Sequence, residues 1–327
     1  MMRESIGTEE TDNRPYWGIN QDLGIAISVS DLRKSYGDIK AVDGVSLEVF
    51  EGEIFGILGP NGAGKTTTLE MIETLREPDA GEITVSGMDT RSYARAIKGV
   101  IGVQLQSAVF IDELTVRETI DFFASFYDRS LPVDSLIARA ELGDKAGARV
   151  NTLSGGQSKR LSIALALVND PGIVFLDEPT TGLDPQARRS IWEMIESLRW
   201  QGKTVIVTTH YIEEAEYLCD RVAVMDRGKI IALGTPDRLI DEHVPYSVIT
   251  FRLDPPLDPE VVGGIHGVEG VAAENGSYRV TTPVPQETLI GIVAAAHEHG
   301  VKAEDINMKR ASLEDVFLKI TGRRIRD

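Results

Sequence analysis

Gly59-Pro60-Asn61-Gly62-Ala63-Gly64-Lys65-Thr66-Thr67 is the stretch on which the reading of this chain turns. Before it stands an apolar run, Ile54-Phe55-Gly56-Ile57-Leu58, with the composition of a buried strand. After it, Thr68-Leu69-Glu70-Met71-Ile72 has helical spacing. Strand, glycine-rich loop and helix, in that order, are the context in which a G-x-x-x-x-G-K-[ST] match carries chemical meaning. Glycines let several backbone N–H groups converge on phosphate oxygens, and the helix N-terminus adds partial positive charge. In such a loop Lys65 reaches the β- and γ-phosphates of a nucleotide, and the Thr66 hydroxyl ligates Mg²⁺. A plain glycine turn with a surface lysine has the same local composition, so the rest of the chain must arbitrate.

The chain has 327 residues, enough for one large domain and a small one, and its 42% hydrophobic and 26% charged content is that of a globular protein. No window approaches eighteen consecutive apolar residues, so no transmembrane helix is expected. The N-terminus lacks a basic-then-apolar pattern, which predicts a cytosolic location. A net charge of −17 argues against a nucleic-acid partner and against direct adhesion to an anionic leaflet. Any membrane contact should then run through another protein. The single Cys219 excludes an internal disulfide and reads as a small core thiol.

Residues 1 to about 24 are polar and aperiodic and read as a mobile tail, with Trp17 packing locally. Alternating segments at 27–32 and 42–49 predict an antiparallel β lead-in. Tyr36, just after the first of them, is either a platform for an adenine ring or a half-buried loop tyrosine. Past the loop, a turn and strand at 78–85 and a short strand at 101–106 precede a mostly helical insertion between Gln106 and about Leu165. Within it, Thr115 and Glu118 form a capping box opening a helix from Leu114 to Tyr127. Leu153-Ser154-Gly155-Gly156-Gln157 leads into a helix over 158–168. Gly172-Ile173-Val174-Phe175-Leu176-Asp177-Glu178 is an apolar strand ending in two carboxylates, followed by a helix over 187–200. The strand 204–209 ends at His210, and a helix over 211–219 and a strand over 221–226 complete a β/α alternation. That alternation predicts a parallel, doubly wound sheet. Beyond about residue 240 the texture changes: a strand over 246–253, a hairpin turning at Asn275-Gly276, a helix over 286–299, a short strand near Ile306 and a final helix capped by Ser312 and Asp315. His297 and His299 read as solvent-facing residues of a helix end.

Taken together these motifs resemble the ATP-binding subunit of an ABC (ATP-binding cassette) transporter, over about Ile27 to Thr235. LSGGQ at 153–157 matches the family signature and is the most specific element. IVFLDEP at 173–179 matches the Walker B strand, Gln106 the Q-loop (with Gln104 as the neighbouring candidate), Gly182-Leu183-Asp184-Pro185 the D-loop, His210 the switch histidine and Tyr36 the adenine-stacking aromatic. The resemblance implies an α/β fold: a P-loop NTPase cassette over 25–240, with a parallel-sheet core, an antiparallel β lead-in and a helical subdomain at about 107–165. Residues 241–327 are expected to form a small α+β domain.

The resemblance also implies roles. Phosphates would sit on the backbone of Gly59, Pro60, Asn61, Gly62, Ala63 and Gly64, with Lys65, Thr66 and Thr67. Mg²⁺ would be held by Thr66, Gln106 and Asp177, as suits an ion that prefers hard oxygens and keeps its waters. Glu178 would polarise the attacking water, with His210, Lys65 and Gln106 completing the catalytic set. Ser154, Gly155, Gly156 and Gln157, with Asp184 nearby, would close on the ATP held by a second copy, in a head-to-tail pair. Partners implied are that second copy, or a homologous subunit, and a separate integral-membrane permease that would hold the chain on the inner face of the cell membrane. The tail Ala311-Ser312-Leu313-Glu314-Asp315-Val316-Phe317-Leu318 resembles the multidrug and antibiotic, daunorubicin-resistance-like export branch. Two other readings stand beside it. A soluble ABC ATPase acting on ribosomes or DNA would usually carry two cassettes or a long coiled coil, and this chain has neither. A nucleotide-binding regulator without turnover sits poorly with intact Lys65, Asp177, Glu178 and His210.

Overall fold

The computed structural model describes residues 24–106 and 110–325, so the tail expected at the N-terminus, with Trp17, falls outside the described residues but for Gly24. Strand β1 (Ile25–Tyr36) turns Ile27, Val29 and Leu32 inward. The spacing from Val29 to Leu32 breaks alternation because Asp31 takes a left-handed backbone, φ 45°, at a register shift that returns Leu32 to the core face. β1 pairs antiparallel with β2 (Ile39–Phe50). Both strands outrun the segments expected from alternation, and Tyr36 ends β1 rather than following it.

Strand β3 (Ile54–Leu58) feeds the phosphate loop and helix α1 (Lys65–Ile72), and β4 (Ala80–Val85) and β5 (Met88–Asp89) complete an antiparallel sheet of order β2-β1-β4-β5. There follow α2 (Ala94–Val100), which the sequence did not announce, then β6 (Ile101–Gln104), α3 (Val116–Ala124), α4 (Val133–Arg139), α5 (Gly155–Ala166), β7 (Ile173–Asp177), α6 (Pro185–Trp200), β8 (Thr204–Thr209), α7 (Ile212–Leu218), β9 (Arg221–Asp226) and β10 (Lys229–Gly234). The second sheet has order β10-β9-β3-β8-β7-β6 and is parallel from β9 to β6. Antiparallel β10 closes one edge.

Every residue of β3, β7 and β8 is buried, the signature of a parallel sheet covered on both faces. Phe55, Ile57, Phe175 and Ile206 face the antiparallel sheet and the Leu69 and Met71 side chains of α1. Leu58, Val174, Leu176, Val205 and Val207 face the other way, onto Leu161 and Ala164 of α5, Ile191 and Ile195 of α6 and Ala215 and Leu218 of α7. Cys219 is buried and free, as expected of a core thiol.

The chain beyond continues with α8 (Pro236–His243), β11 (Ser247–Asp254), α9 (Pro259–Gly263), β12 (Gly270–Glu274), β13 (Ser277–Thr282), α10 (Pro285–Glu298), β14 (Lys302–Arg310) and α11 (Leu313–Thr321). A third sheet, β12-β13-β11-β14, is antiparallel throughout. The hairpin turns at Asn275-Gly276 with φ 50° and 79°, the two left-handed residues a type I′ turn requires. Ile249, Phe251 and Leu253 of β11 pack with Val262 of α9 and Ile292 and Ala296 of α10 in a core of their own. The strand expected near Ile306 runs nine residues, because pairing with β11 rather than hydrophobicity holds it. α11 opens with the Ser312–Asp315 capping box, then buries Leu313, Val316 and Phe317 in the core shared with α7 and α8. His297 and His299 are exposed at the end of α10.

Candidate functional site

The phosphate loop leaves β3 at the carboxyl edge of the parallel sheet, the edge at which ligand crevices form. Gln106 follows β6, Glu178 follows β7 and His210 follows β8 at that same edge. Gly64 is the N-cap of α1 with φ 103°, and a Cβ there would stand 2.3 Å from the Ala41 carbonyl oxygen, so only glycine fits. It offers no side chain to cap the first turn. The Lys65 ammonium, 4% exposed, donates to the Gly59 and Pro60 carbonyls at 2.8 and 3.2 Å and lies 3.3 Å from Glu178 Oε1.

Burial pushes the Lys65 pKa down, against the Glu178 and Asp177 charges. Glu178 moves the other way from burial: Lys65 and His210 overcome desolvation and hold its carboxyl below the ordinary range. The carboxylate is therefore comfortable as an ion, while the ammonium is short of negative charge. A phosphate would supply it.

Asp177 closes β7 and accepts from the Thr208 hydroxyl and, at 3.1 Å, from Thr66 Oγ1. Burial raises its pKa, the two hydroxyls draw it down, and the Glu178 charge raises it again. Asp177 and Thr66 are hard oxygen donors facing each other from two elements, a set that fits Mg²⁺. Among the described residues no group of three His, Cys, Asp or Glu could cage a metal alone. Such an ion would therefore keep waters or phosphate oxygens as its remaining ligands.

Glu178 itself has φ 47°, a strained backbone held by its amide on the Thr208 carbonyl at 3.2 Å and hydroxyl at 3.0 Å. Its Oε2 accepts from Gln106 Nε2 at 3.1 Å and Thr181 Oγ1 at 3.2 Å, and His210 Nδ1 stands 3.4 Å from Oε1 without hydrogen-bond geometry. Of the two glutamines, Gln106 reaches Glu178, whereas Gln104 is buried in β6 beneath the Asp177 carbonyl at 3.4 Å. Tyr36 is 42% exposed, with the Arg76 guanidinium 5.3 Å from its ring centroid.

Several residues that sequence reasoning passed over belong to this network. Lys159 of α5 donates to the Gln106 and Glu178 carbonyls, both at 3.2 Å. Burial lowers its pKa, opposed by the Asp177, Glu178 and Glu214 charges. Thr208 and Thr181 were ordinary strand and loop residues by composition. Glu73, at the end of α1, is 2% exposed with Oε1 unpartnered, a burial that the sequence reading did not anticipate.

Ser154, Gly155, Gly156 and Gln157 lie elsewhere. They line a second pocket of about 440 Å³ with Gly182, Leu183, Asp184 and Arg160, and no phosphate-loop residue lines it. α5 begins at Gly155, not at 158: Ser154 and Gln157 form a capping box that puts the two signature glycines in the first helical turn. Likewise α6 begins at Pro185, not 187, because Asp184 caps it by accepting from Gln186 and Ala187 amides at 3.0 and 2.9 Å.

Residues 42–181 match the ABC transporter family model. The chain is 39% identical over 312 residues to the daunorubicin resistance ATP-binding protein DrrA3 of Streptomyces coeruleorubidus, covering 92% of this chain and 98% of that protein. It is 42% identical over 309 residues to the Nod factor export ATP-binding protein I of Rhizobium etli, covering 91% and 94%. Among solved structures, the dimeric post-hydrolysis cassette MJ0796 bound to ADP and Pi superposes with TM-score 0.59 and 30% identity, over 64% of this chain and 98% of that one. The chain belongs to the ABC transporter family, as an ATP-binding cassette of α/β P-loop NTPase fold and an ATP hydrolase.

Proposed function

We propose that this chain energises an exporter by closing on Mg²⁺-ATP as a head-to-tail pair, and that it passes the motion to a separate membrane permease. The observation that carries this reading is the division of the site. Lys65, Asp177 and Glu178 form one charged cleft, whereas Ser154, Gly155 and Gly156 open a helix N-terminus in another pocket, a second anion-binding turn without phosphate-loop residues of its own. Two copies related by a two-fold would give each nucleotide both halves.

In the cleft, Lys65 takes the terminal phosphates and thereby releases Glu178 to orient the attacking water. His210, 3.4 Å from that carboxylate, answers to the γ-phosphate, and Gln106 follows the water and the docked permease. Adenine stacks on Tyr36. Thr66 and Asp177, with Gln106 near, would hold Mg²⁺, which when bound would supply neutralising charge to the phosphates. Each copy carries −17, so the nucleotide-free pair repels itself, and ligand bridging supplies the closure.

Export is supported by the name of the Nod factor export relatives, and contact with a permease by an aromatic face on the helical insertion. Phe122 and Phe126 meet edge-on at 5.0 Å, both exposed, with Tyr127 beside them, and Leu105 is exposed next to Gln106. No helix among the described residues is long and apolar enough to cross a membrane, so the membrane path of an exporter would belong to the partner.

The test is Glu178→Gln. With Mg²⁺-ATP it should run as a dimer in sedimentation and lose hydrolysis by about 10²-fold or more. Wild-type turnover in that variant, or a strict monomer with nucleotide bound, would overturn the reading.

A further inference from the structure

Helix α7, which follows His210, carries a carboxylate that the hydrolytic scheme leaves without a task. Glu214 is 0% exposed. Its Oε1 accepts from Thr180 Oγ1 at 2.8 Å and from Trp192 Nε1 at 2.9 Å. The elements involved have telling origins. Glu214 stands on the helix that begins two residues after His210, where the Thr209 hydroxyl accepts from the Tyr211 amide at 2.9 Å. Thr180, itself fully buried, lies two residues past Glu178 in the loop that runs to Asp184. Trp192 sits on α6, the helix that Asp184 caps.

A second tie runs between the same elements: the Arg188 guanidinium of α6 lies 4.4 Å over the Tyr211 ring and 3.9 Å from Glu213. Burying a carboxylate is costly unless donors surround it, and an apolar residue would pack an ordinary helix contact at less expense. Here one oxygen of a residue on α7 gathers donors from the 180–184 loop and from α6, while Oε2 has none.

We propose that Glu214 is a positioning residue that couples His210 to the 180–184 loop through helix α7 and the hydrogen bond from Thr180 to Glu214. Displacement of His210 by a terminal phosphate then moves the loop bearing Asp184, which lines the pocket offered to the second copy's nucleotide. In a dry site such hydrogen bonds are strong and rearrange together, so the link is stiff enough to carry a small displacement. The inference rests on the head-to-tail pair proposed above.

Two variants remove one donor each from the same oxygen. Thr180→Val cuts the link to the loop and Trp192→Phe cuts the link to α6, so each leaves Glu214 one hydrogen bond short. ATPase of the full chain is measured against ATP concentration, with thermal unfolding and single-chain ATP affinity alongside. Thr180→Val should lower the Hill coefficient from about 2 towards about 1 and kcat by about tenfold at unchanged affinity. Trp192→Phe should keep both within about twofold despite a similar loss in Tm, and Thr180→Ser should restore the wild-type curve. Should Thr180→Val not fold, Thr180→Ala applies the same criterion. Wild-type cooperativity in the Thr180 variant, or loss of activity in both variants in proportion to Tm, would reduce Glu214 to a packing residue and overturn the inference alone. A wild-type chain with a Hill coefficient of about 1 would remove the paired site, and this inference with it.

Discussion

Glu73 offers the sharpest physical test of the site's electrostatics. Replacing it with Gln keeps size and removes the ionisable group. Burial pushes the Glu73 carboxyl from 4.5 to about 8, with the Asp177 and Glu70 charges adding to the shift. At neutral pH the folded chain therefore keeps Glu73 protonated, which spares Asp177 a further nearby negative charge. The sign follows from linkage: an acid whose folded pKa is raised binds its proton more tightly when folded. Its favourable contribution is complete below the unfolded pKa of 4.5 and is lost as pH rises towards about 8. Integrated with those two values, the loss between about pH 6 and about pH 8.5 is about 2.5 kcal/mol. Urea unfolding of the nucleotide-free full chain, followed by tryptophan fluorescence, reads it directly, since Trp192 is buried. Wild type should lose about 2.5 kcal/mol relative to Glu73→Gln over that interval. A difference between the two proteins that stays flat with pH would refute the reasoning, and so would a variant that loses ground at the alkaline end.

Two further expectations follow from single contacts. Lys159→Met keeps the stem but removes the ammonium that ties α5 to the Gln106 and Glu178 carbonyls, so kcat should fall about tenfold while ATP affinity changes less than about twofold. Steady-state kinetics beside equilibrium binding checks the split, and a pure affinity loss would contradict it. Tyr36→Ala should weaken binding by about 1–2 kcal/mol through lost ring stacking, measured by calorimetry on the Glu178→Gln background, with little change in kcat when Glu178 is intact.

Much of the site could be read before any coordinates because its parts are contiguous in sequence. A phosphate loop needs strand, glycines, lysine and helix within about twenty residues, and 54–72 contains them all. The Walker B pair and the strand before His210 were visible as apolar runs that end in polar residues, and burial of every residue in β7 and β8 agrees. The helix starts were misplaced for a local reason. Glycines 155 and 156 have poor helix propensity and Pro185 reads as a breaker, yet caps from Ser154 and Asp184 outweigh both. The capping patterns were present in the sequence but outvoted by composition. Helix α8, capped by Thr235 ahead of Pro236, was missed in the same way.

The sequence alone determined the fold class, the strand–loop–helix that receives phosphate, and the identity of the two carboxylates, because each depends on neighbours a few positions away. Tertiary structure alone decided that Lys65 leans on Glu178, that Gln106 rather than Gln104 meets that carboxylate, and that Lys159 and Glu214 join the network. Those contacts bridge 113, 72, 19 and 34 residues of chain respectively. A side chain's charge state and partners are set by whatever the fold buries beside it, and that neighbourhood leaves no mark on local sequence.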